Sequence, residues 1–397
     1  MKLLIYSHFF PPSVGGVETV VELLATGLGN LRTSDDLPAY KVTVVTNASA
    51  SGSSEPCRPF SIVRNPTKRQ LRDLIASCDI VHVAGVAIPP LREALRQKKP
   101  VVAEHHGFQA ICPNGQLLKE PEDAPCPGYF MQGNHSKCLK CRKSGSRFVP
   151  VRLWLLTFLR RRLCERVDAN IVPTRWLGEQ LGLPRVKIVA HGIPPRAPIV
   201  RISGNEKTLR IVFIGRLVTT KGVGLLLQAA RQLKMKDHNL RLWIIGTGPE
   251  RELLEIRVKE WDLGDQVKFF GFIPEEEINK LLAEATVIVV PSMGGEVFGM
   301  VVAENMSRGL PVLASDLGAF AEVLGGTDQT FRTGDADDLA RQLLRLLRDS
   351  TLAGQWAKAG HERATKTLTA QRMIEGHDQV YRDVLTSRVR SMESCNR

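Results

Sequence analysis

Two cations in the second half of this 397-residue chain have types and a spacing that suit phosphate chemistry. Arg216 and Lys221 lie in the segment Gly215–Gly222, which directly follows the apolar run Arg210–Ile214. A forked guanidinium, a point-charge ammonium and the free N–H groups at a helix start together suit a diphosphate. The alternative is two solvated charges on a loop.

Two carboxylates, Glu296 and Glu304, are spaced eight residues apart after the apolar run Val287–Val290. On a helix that starts near Phe298, Glu296 would lie in the preceding loop and Glu304 two turns in, among apolar neighbours. A partly buried carboxylate needs partners, and the vicinal hydroxyls of a ribose would serve. The alternative is a capping glutamate and a surface glutamate.

Gly15 and Gly16 end the segment that joins the first apolar run to a helical pattern beginning at Val17. Glycines at such a turn let a ligand approach the backbone, and the helix start favours anionic groups. The alternative is a tight turn that only glycine can make. The spacing is not G-x-G-x-x-G and gives little support to dinucleotide binding.

Apolar runs alternate with helical patterns through both halves of the chain, which predicts α/β architecture with two doubly wound parallel sheets. The proline-rich stretch around Pro194, Pro195 and Pro198 and the polar residues 203–207 indicate a linker. We therefore expect domains at 1–198 and 199–370, with an insertion at 107–147 that breaks the rhythm. The strand candidates are Leu3–Tyr6, Val42–Thr46, Ile80–Val83, Val101–Ala103, Ala169–Val172, Val186–Ala190, Arg210–Ile214, Leu240–Ile245, Val267–Phe270, Val287–Val290 and Val312–Ala314.

In this order, and on two such domains, the segments Pro11–Glu18, Gly215–Gly222 and Glu296–Glu304 resemble the motifs of the family 4 glycosyltransferases. These are retaining, group 1 enzymes of the GT-B fold, in which two Rossmann-like domains face a cleft. The resemblance covers essentially the whole chain. It implies that residues 371–397 form a last helix, around Tyr381, that crosses back to the first domain, followed by a tail.

The resemblance also implies roles for the second domain, which would bind a UDP- or GDP-sugar donor. Arg216 and Lys221 would hold the diphosphate and stabilise the leaving group, and Glu304 would take the ribose hydroxyls. Glu296, with the backbone of Phe298–Gly299, would face the sugar. In the first domain, Gly15 and Gly16 would let the loop approach the phosphates.

His106 follows the apolar run Val101–Ala103 and, on the family register, faces the donor sugar, with His105 as the less favoured neighbour. A purely structural histidine is the alternative. The family is described as reacting on the front face, where the leaving phosphate takes the acceptor proton. It therefore implies no dedicated general base and no cofactor for catalysis. The chain departs from the family pattern at His191 and at Leu317–Glu322.

Four cysteines fall within the insertion, Cys112, Cys126, Cys138 and Cys141, in the pattern C-x13-C-x11-C-x2-C. The last pair has the spacing of a metal knuckle. Four thiolates would suit a structural zinc ion and would explain how the insertion stays ordered. His135 is an alternative ligand, and free thiols or a redox pair are the alternative states.

The net charge of +13 is concentrated in residues 1–200, which carry 27 basic and 15 acidic side chains. Ten of the basic residues lie in 137–166, around an apolar stretch that contains Trp154 and Phe158. We expect this segment to contact an anionic membrane surface, although an ordinary packing helix is the alternative. Nucleic-acid binding is not expected, because no reading module or stacking series is present. No run approaches the ~18 apolar residues of a membrane span, so we expect a cytoplasmic protein, peripheral on the membrane.

The sequence therefore predicts a retaining glycosyltransferase that moves a sugar to a hydroxyl of a lipid-linked, polysaccharide or small-molecule acceptor. Two other enzymes of the same fold are alternatives. A nucleotide-sugar epimerase should lack the Glu296–Glu304 pattern, and a phosphorylase needs a pyridoxal-phosphate lysine that the sequence does not reveal. A non-catalytic, metal-stapled binding protein is the alternative from another class.

Overall fold

The computed structural model of this chain describes residues 1–49, 57–141, 148–201, 208–236, 238–326, 328–349 and 351–395, without the side chains of residues 148 and 391–395. The polar stretch 203–207, the basic residues of 142–147 and the last two residues of the tail lie outside it. Within the described residues the chain forms two parallel sheets, each covered by helices, and a small antiparallel hairpin.

The first sheet takes its strands from residues 2–188. Its strands are β1 (Lys2–Ser7), β2 (Lys41–Thr46), β3 (Ser61–Arg64), β4 (Ile80–Ala84), β5 (Val101–Glu104), β8 (Ala169–Val172) and β9 (Val186–Ile188). The hairpin of the insertion is β6 (Leu118–Lys119) and β7 (Ala124–Pro125). The helices are α1 (Gly16–Asn30), α2 (Lys68–Ser77), α3 (Ile88–Arg96), α4 (His135–Lys140), α5 (Phe148–Cys164) and α6 (Arg175–Leu181). The strands pair in parallel in the order β3-β2-β1-β4-β5-β8-β9.

The second sheet begins after the linker. Its strands are β10 (Leu209–Ile214), β11 (Leu240–Ile245), β12 (Val267–Gly271), β13 (Val287–Val290), β14 (Val312–Ser315) and β15 (Thr330–Phe331). Its helices are α7 (Val223–Met235), α8 (Arg251–Glu260), α9 (Glu275–Glu284), α10 (Met300–Ser307), α11 (Gly318–Leu324), α12 (Ala336–Arg348) and α13 (Leu352–Thr367). The parallel order β12-β11-β10-β13-β14-β15 is that of a doubly wound nucleotide-binding sheet.

Burial on both faces explains why the strands appear in the sequence as apolar runs. In β1, Leu3 and Ile5 join one buried cluster while Leu4 and Tyr6 join the cluster on the opposite face. The predicted α/β class with two doubly wound sheets is therefore confirmed, and every predicted run overlaps a strand, although Val189 and Ala190 lie beyond the end of β9. The strands β3, β15 and the hairpin were not predicted, because they are short and β3 is only half-buried at the sheet edge.

The last helix, α14 (Ala370–Cys395), returns to the first domain. Its Met373 and Tyr381 are buried in the cluster that covers β1 and α1. Arg388 forms a two-pronged ion pair with Asp168, with Nε–Oδ1 and Nη2–Oδ2 distances of 2.7 and 2.8 Å. The linker and this last helix are therefore the two segments through which the chain crosses between the domains. Where they meet, the Ile193 N–H donates to the Leu368 carbonyl at 3.0 Å.

Direct contacts also join the two domains beside the cleft. The second-domain carboxylate Glu322 accepts the free N–H groups of Arg175 and Trp176 at the start of α6, at 2.8 and 3.0 Å. A carboxylate suits a helix N-terminus, where unpaired N–H groups and the helix dipole both favour negative charge. The Thr174 hydroxyl also donates to the Val297 carbonyl at 3.0 Å.

His105 is buried within the first sheet and is a structural residue. Its Nε2–H donates to Asn170 Oδ1 at 2.9 Å, and the Asn170 amide in turn holds the carbonyls of Cys164 and Pro184. Burial lowers the pKa of His105 from 6.5 to about 4, against the opposing effect of the Asn170 hydrogen bond. The folded protein therefore holds this ring neutral, whereas the unfolded chain protonates it near pH 6.5.

We expect His105 to make the protein less stable in acid. Because the unfolded state binds the proton more tightly, the free energy of unfolding falls as the pH drops from about 6.5 to 4, by up to about 3 kcal/mol for this residue. His105→Gln removes the titrating group and should flatten the pH dependence measured by urea unfolding. The exposed His8 provides the control variant His8→Gln. If the free energy of unfolding depended on pH in the same way in wild type and in His105→Gln, this account would be contradicted.

Candidate functional site

The candidate site lies where the carboxyl ends of the two parallel sheets face each other, the usual ligand position in open α/β sheets. From the second domain come the loop after β10 and the loop after β13. From the first domain come the loop after β1 and the end of β5. Direct contacts join these loops, since an added Cβ on Gly16 would lie 3.2 Å from Cγ of Met300, the first residue of α10.

The two predicted diphosphate ligands lie on one turn. Arg216 is exposed, and Lys221 ends a short 3₁₀ helix, Thr219–Lys221. Gly222 follows with φ of +68° and an added Cβ there would collide with the Pro291 carbonyl, so only glycine allows this loop to lie against the β13 loop. As a result, Lys221 Nζ is 2.5 Å from Glu296 Oε1.

Glu296 is 12% exposed and is held in place by two donors. The Ser292 hydroxyl donates to Glu296 Oε1 at 3.0 Å, and Lys221 contacts the same oxygen. The next residues turn the chain into α10, with Phe298 buried and Gly299 at φ of +97° as the N-cap. An added Cβ on Gly299 would collide with the Phe320 ring, and no side chain of the described residues caps the free N–H groups of α10.

Glu304 lies in the second turn of α10, close to the predicted place. It is half-buried, and burial raises its pKa, while the guanidinium groups of Arg308 and Arg196 act in the opposite direction. A carboxylate in such surroundings gains from hydroxyl donors that restore its lost hydration. Glu304 therefore lies one turn into the helix whose N-terminus follows the Glu296 loop.

His106 belongs to a buried cluster that the sequence analysis did not predict. The carboxylate of Glu104, the last residue of β5, is surrounded by four imidazoles. Its Oε2 is 3.1 Å from Nε2 of both His82 and His106. Its Oε1 is 3.4 Å from Nε2 of His377 and 3.5 Å from Nε2 of His191. Every one of these side chains is at most 5% exposed.

The hydrogen bonds show which ring nitrogens carry protons in His82 and His377, the two histidines on the α14 side of the cluster. A carboxylate only accepts, so Nε2–H of His82 donates to Glu104 and its Nδ1 accepts from the Tyr381 hydroxyl at 2.9 Å. Nδ1–H of His377 donates to the Met373 carbonyl at 2.8 Å. Its Nε2 therefore needs a second proton, or a cation, to be attracted to Glu104.

The charge states of the cluster follow from burial and mutual contact. Burial alone would raise the pKa of Glu104, but the charges of His106 and His377 and the hydrogen bonds of His106 and His191 hold it well below 4.5. Burial lowers the pKa of His82, and it lowers that of His191 to about 4. An ionised carboxylate thus lies among rings of which at least two are neutral at pH 7.

Contacts between aromatic rings connect the Glu104 cluster with the second domain. His106 stacks on His191 with 5.0 Å between ring centroids, and His191 contacts Phe298 at 5.1 Å. His106 also lines a cavity of about 490 Å³ in the first domain. Polar lining side chains of this cavity are Tyr6, His8, Asn47, Gln109 and Arg160. His106 is therefore placed between the donor loop and a cavity that could receive an acceptor.

Two sets of residues could hold a metal ion. Among the described residues, three ligand atoms lie within 4.8 Å of one another in two groups, Glu104 with His82 and His377, and Glu104 with His106 and His191. The four cysteines of the insertion are free thiols and are more widely spaced. His135, the alternative ligand, instead packs against the rings of Phe130, Trp154 and Phe158.

One signal could have revealed the missed cluster. His82 and Glu104 interrupt the apolar runs of β4 and β5, and polar side chains in strands buried on both faces must be paired. Their partners His377 and Tyr381 lie almost 300 residues further along the chain. No local pattern connects them.

Comparison with known proteins places these loops in a known context. Residues 198–363 match the family described as glycosyl transferases group 1. A phosphatidyl-myo-inositol mannosyltransferase of Mycobacterium leprae is 29% identical over 234 residues, which are 57% of this chain and 61% of that protein. The chain thus matches less than two thirds of that relative's length.

Solved structures resemble the whole chain. Sucrose-phosphate synthase from Thermosynechococcus elongatus matches with a TM-score of 0.71 at 19% identity, over 97% of this chain and 99% of that one. Anabaena Alr3699/HepE, in complex with UDP and glucose, matches with a TM-score of 0.68 at 15% identity, over 96% and 100%. The chain has the GT-B fold, and its residues 198–363 match the family of group 1 glycosyltransferases.

Proposed function

We propose that the protein is a retaining glycosyltransferase that moves a sugar from a nucleotide-sugar donor to an acceptor hydroxyl. The contact of Lys221 with Glu296 carries this proposal. It brings a cation for the leaving diphosphate and a carboxylate for the sugar together at the open N-terminus of α10. Arg216 lies on the same turn as Lys221, and Glu304 stands one turn inside the helix.

A nucleoside diphosphate sugar, with uracil or guanine as its base, is the proposed donor. Anabaena HepE was solved with UDP and glucose, which supports such a ligand for the shared fold. In this chain the diphosphate would displace Glu296 from Lys221 and take the N–H groups after Gly299. Glu304 would accept from the ribose hydroxyls, and Gly15 and Gly16 would allow the first-domain loop to close over the phosphates.

Transfer would break the bond between the anomeric carbon and the diphosphate oxygen and form a bond to the acceptor oxygen on the same face of the sugar. The acceptor proton would pass to the leaving phosphate. Arg216 and Lys221 would stabilise the charge that develops on that phosphate. Stabilisation of developing charge by groups already in position is usually the main source of an enzyme's rate enhancement. This chemistry needs no bound cofactor.

His106 would contact the donor sugar or the acceptor hydroxyl from the first domain. Its Nε2 lies 3.1 Å from Glu104 Oε2, but neither ring nitrogen has a hydrogen-bond partner among the described residues. Glu104 would thus act as a positioning residue through its charge contact with the ring.

The acceptor would enter the first-domain cavity. Arg160 lines it beside Asn47 and His8, so the cavity offers a cation to a phosphate or another anionic acceptor. The relative named for phosphatidyl-myo-inositol acts, by its name, on a lipid. This supports a lipid-linked acceptor.

Removing the donor ligands should abolish transfer. We expect Lys221→Ala to lower kcat/KM by about 10²-fold or more, because the leaving-group charge loses its cation. Glu304→Ala should raise the donor Kd by about 10- to 100-fold through loss of charge-assisted hydrogen bonds. Turnover of a panel of UDP- and GDP-sugars measures the first effect and calorimetric donor titration measures the second. The anomeric configuration of the product, determined by NMR, tests retention.

The surface pair Lys280 and Glu276 provides matched controls, since Lys280→Ala and Glu276→Ala remove the same groups from exposed positions on α9. Unchanged turnover in both site variants would refute the assignment. Interconversion of nucleotide sugars without transfer would indicate an epimerase. Donor binding without any turnover would indicate a binding protein.

The variant Glu104→Gln should distinguish a role of Glu104 in positioning His106 from a role in donor binding. The amide keeps the volume but loses the negative charge, so His106 is no longer held by an ionised acceptor. We expect kcat to fall about tenfold with little change in the donor KM, and the pH profile of kcat to shift. Glu104→Asp, which keeps the charge, should retain more activity. Equal losses in both variants with an unshifted profile would indicate a purely structural carboxylate.

A membrane contact through α5 is the second part of the proposal. The helix exposes an apolar stripe of Val151, Leu155 and Leu159, flanked by the exposed Arg152 and Arg162. Apolar side chains bordered by arginines suit the interface of an anionic bilayer. No helix among the described residues has the length and apolar character needed to span a membrane. The protein would therefore bind peripherally, near a lipid-linked acceptor.

Flotation with vesicles tests this contact. We expect binding to vesicles of phosphatidylcholine with 30% phosphatidylglycerol, at about ten times the level on phosphatidylcholine alone, because each basic residue adds about 1 kcal/mol near an anionic surface. Leu155→Gln with Leu159→Gln should abolish it. Leu253 and Ile256 are as exposed on α8, so Leu253→Gln with Ile256→Gln is the control. Equal and negligible flotation with both kinds of vesicle would contradict the proposed membrane contact of α5.

A further inference from the structure

The four cysteines of the insertion converge on one small region, although they are up to 29 positions apart in the chain. The side-chain amide of Asn114 lies between two of them, with its Oδ1 2.9 Å from Cys112 Sγ and its Nδ2 3.6 Å from Cys141 Sγ. The same Nδ2 donates to the Leu118 carbonyl at 2.8 Å.

The other two cysteines are tied to the same place by the backbone. The Cys126 N–H donates to the Leu117 carbonyl at 2.7 Å, which sets Cys126 at the open end of the β6–β7 hairpin. Cys138 is buried and precedes Cys141 by one helical turn, with the Cys141 N–H donating to its carbonyl at 3.2 Å. All four side chains therefore surround the turn at residues 114–118.

Polar groups contact two of the sulfur atoms. The Glu120 N–H donates to Cys141 Sγ at 3.3 Å, and the Cys112 thiol donates to Asn114 Oδ1 at 2.9 Å. A metal would replace the Cys112 thiol proton, since the thiolate is the form that binds metal.

The four thiols are near enough to act on one another, since Cys112, Cys126 and Cys141 all interact electrostatically with Cys138. Four thiolates gathered in this way repel each other unless a cation neutralises them. A divalent metal supplies that charge and releases the thiol protons to solvent.

The insertion is anchored at its start, where Phe108, Ala110 and Ile111 are buried in the core of the first domain, but it has little regular structure of its own. Between residues 107 and 141 its regular structure is two strands of two residues and one helix of six. Segments this small lack a hydrophobic core of their own and are usually stabilised by disulfides or metals. No disulfide joins the described cysteines.

We propose that Cys112, Cys126, Cys138 and Cys141 bind one zinc ion in a closed, tetrahedral, structural site. Zinc takes four thiolates at about 2.3 Å, closer than the present sulfur positions. Rotation about Cα–Cβ moves a sulfur by about 3 Å between rotamers, so zinc binding would proceed with rotation of these side chains.

The zinc site would also stabilise a contact between the two domains. The carbonyl of Gln116, inside the turn that the cysteines surround, accepts the N–H of Gly295 at 2.6 Å. Gly295 directly precedes Glu296 in the donor loop. The metal would thus hold the insertion against the loop that carries the proposed sugar-facing carboxylate. The site itself does not depend on the proposed reaction.

Metal analysis of the full-length protein tests the proposal. We expect one equivalent of zinc per chain by inductively coupled plasma mass spectrometry, and less than about 0.2 in the double variant Cys138→Ser, Cys141→Ser. The matched control Cys57→Ser, Cys78→Ser removes two cysteines outside the insertion and should keep the zinc. On wild-type protein, 1,10-phenanthroline should remove the metal and lower Tm by about 5 °C or more, whereas the non-chelating 1,7-isomer should do neither.

Three results would overturn the proposal. The first is folded, metal-free wild-type protein whose four insertion thiols react with a thiol reagent. The second is a disulfide among these cysteines, detected by mass spectrometry. The third is zinc that persists in the double serine variant but is lost in Glu104→Gln, which would place the metal at the histidine cluster. If the serine variant fails to fold, the chelator pair on wild-type protein still decides.

Discussion

The carboxylate of Glu104 is the interaction on which the arrangement of this protein depends. A buried negative charge is costly unless donors surround it, and here four imidazoles from three parts of the chain lie within 3.5 Å. The carboxylate therefore requires the first sheet, the linker and the last helix to be in place together. One desolvated charge thus connects α14, through His377, with the ring of His106.

The two segments that cross between the domains, the linker and α14, both contact the carboxylate of Glu104. His191 stands at the start of the linker and His377 on α14, and both face the same oxygen of Glu104. His191 also contacts Phe298, next to the donor loop. A change in the angle between the domains would alter these contacts. The cluster thus links the geometry of the cleft to the ring that we propose contacts the substrate.

Local patterns were sufficient to predict the architecture and the second-domain loops. Strands buried on both faces are apolar throughout, and Arg216, Lys221, Glu296 and Glu304 stand next to such strands, so their side of the cleft follows from chain order. The Glu104 cluster could not be predicted in this way, because its members are brought together only by the return of α14. The sulfur positions likewise depend on the Asn114 turn, which no spacing reveals.

The ionisation of Glu104 is the most direct test of this account. With glutamate labelled at the carboxyl carbon, the signal lost in Glu104→Gln identifies this residue by NMR. The account predicts a carboxylate chemical shift that stays constant from pH 8 to pH 5, because the imidazoles hold the pKa of Glu104 well below 4.5. A protonated carboxyl shift at pH 7, or titration within this range, would show that burial outweighs the histidines and would contradict the account.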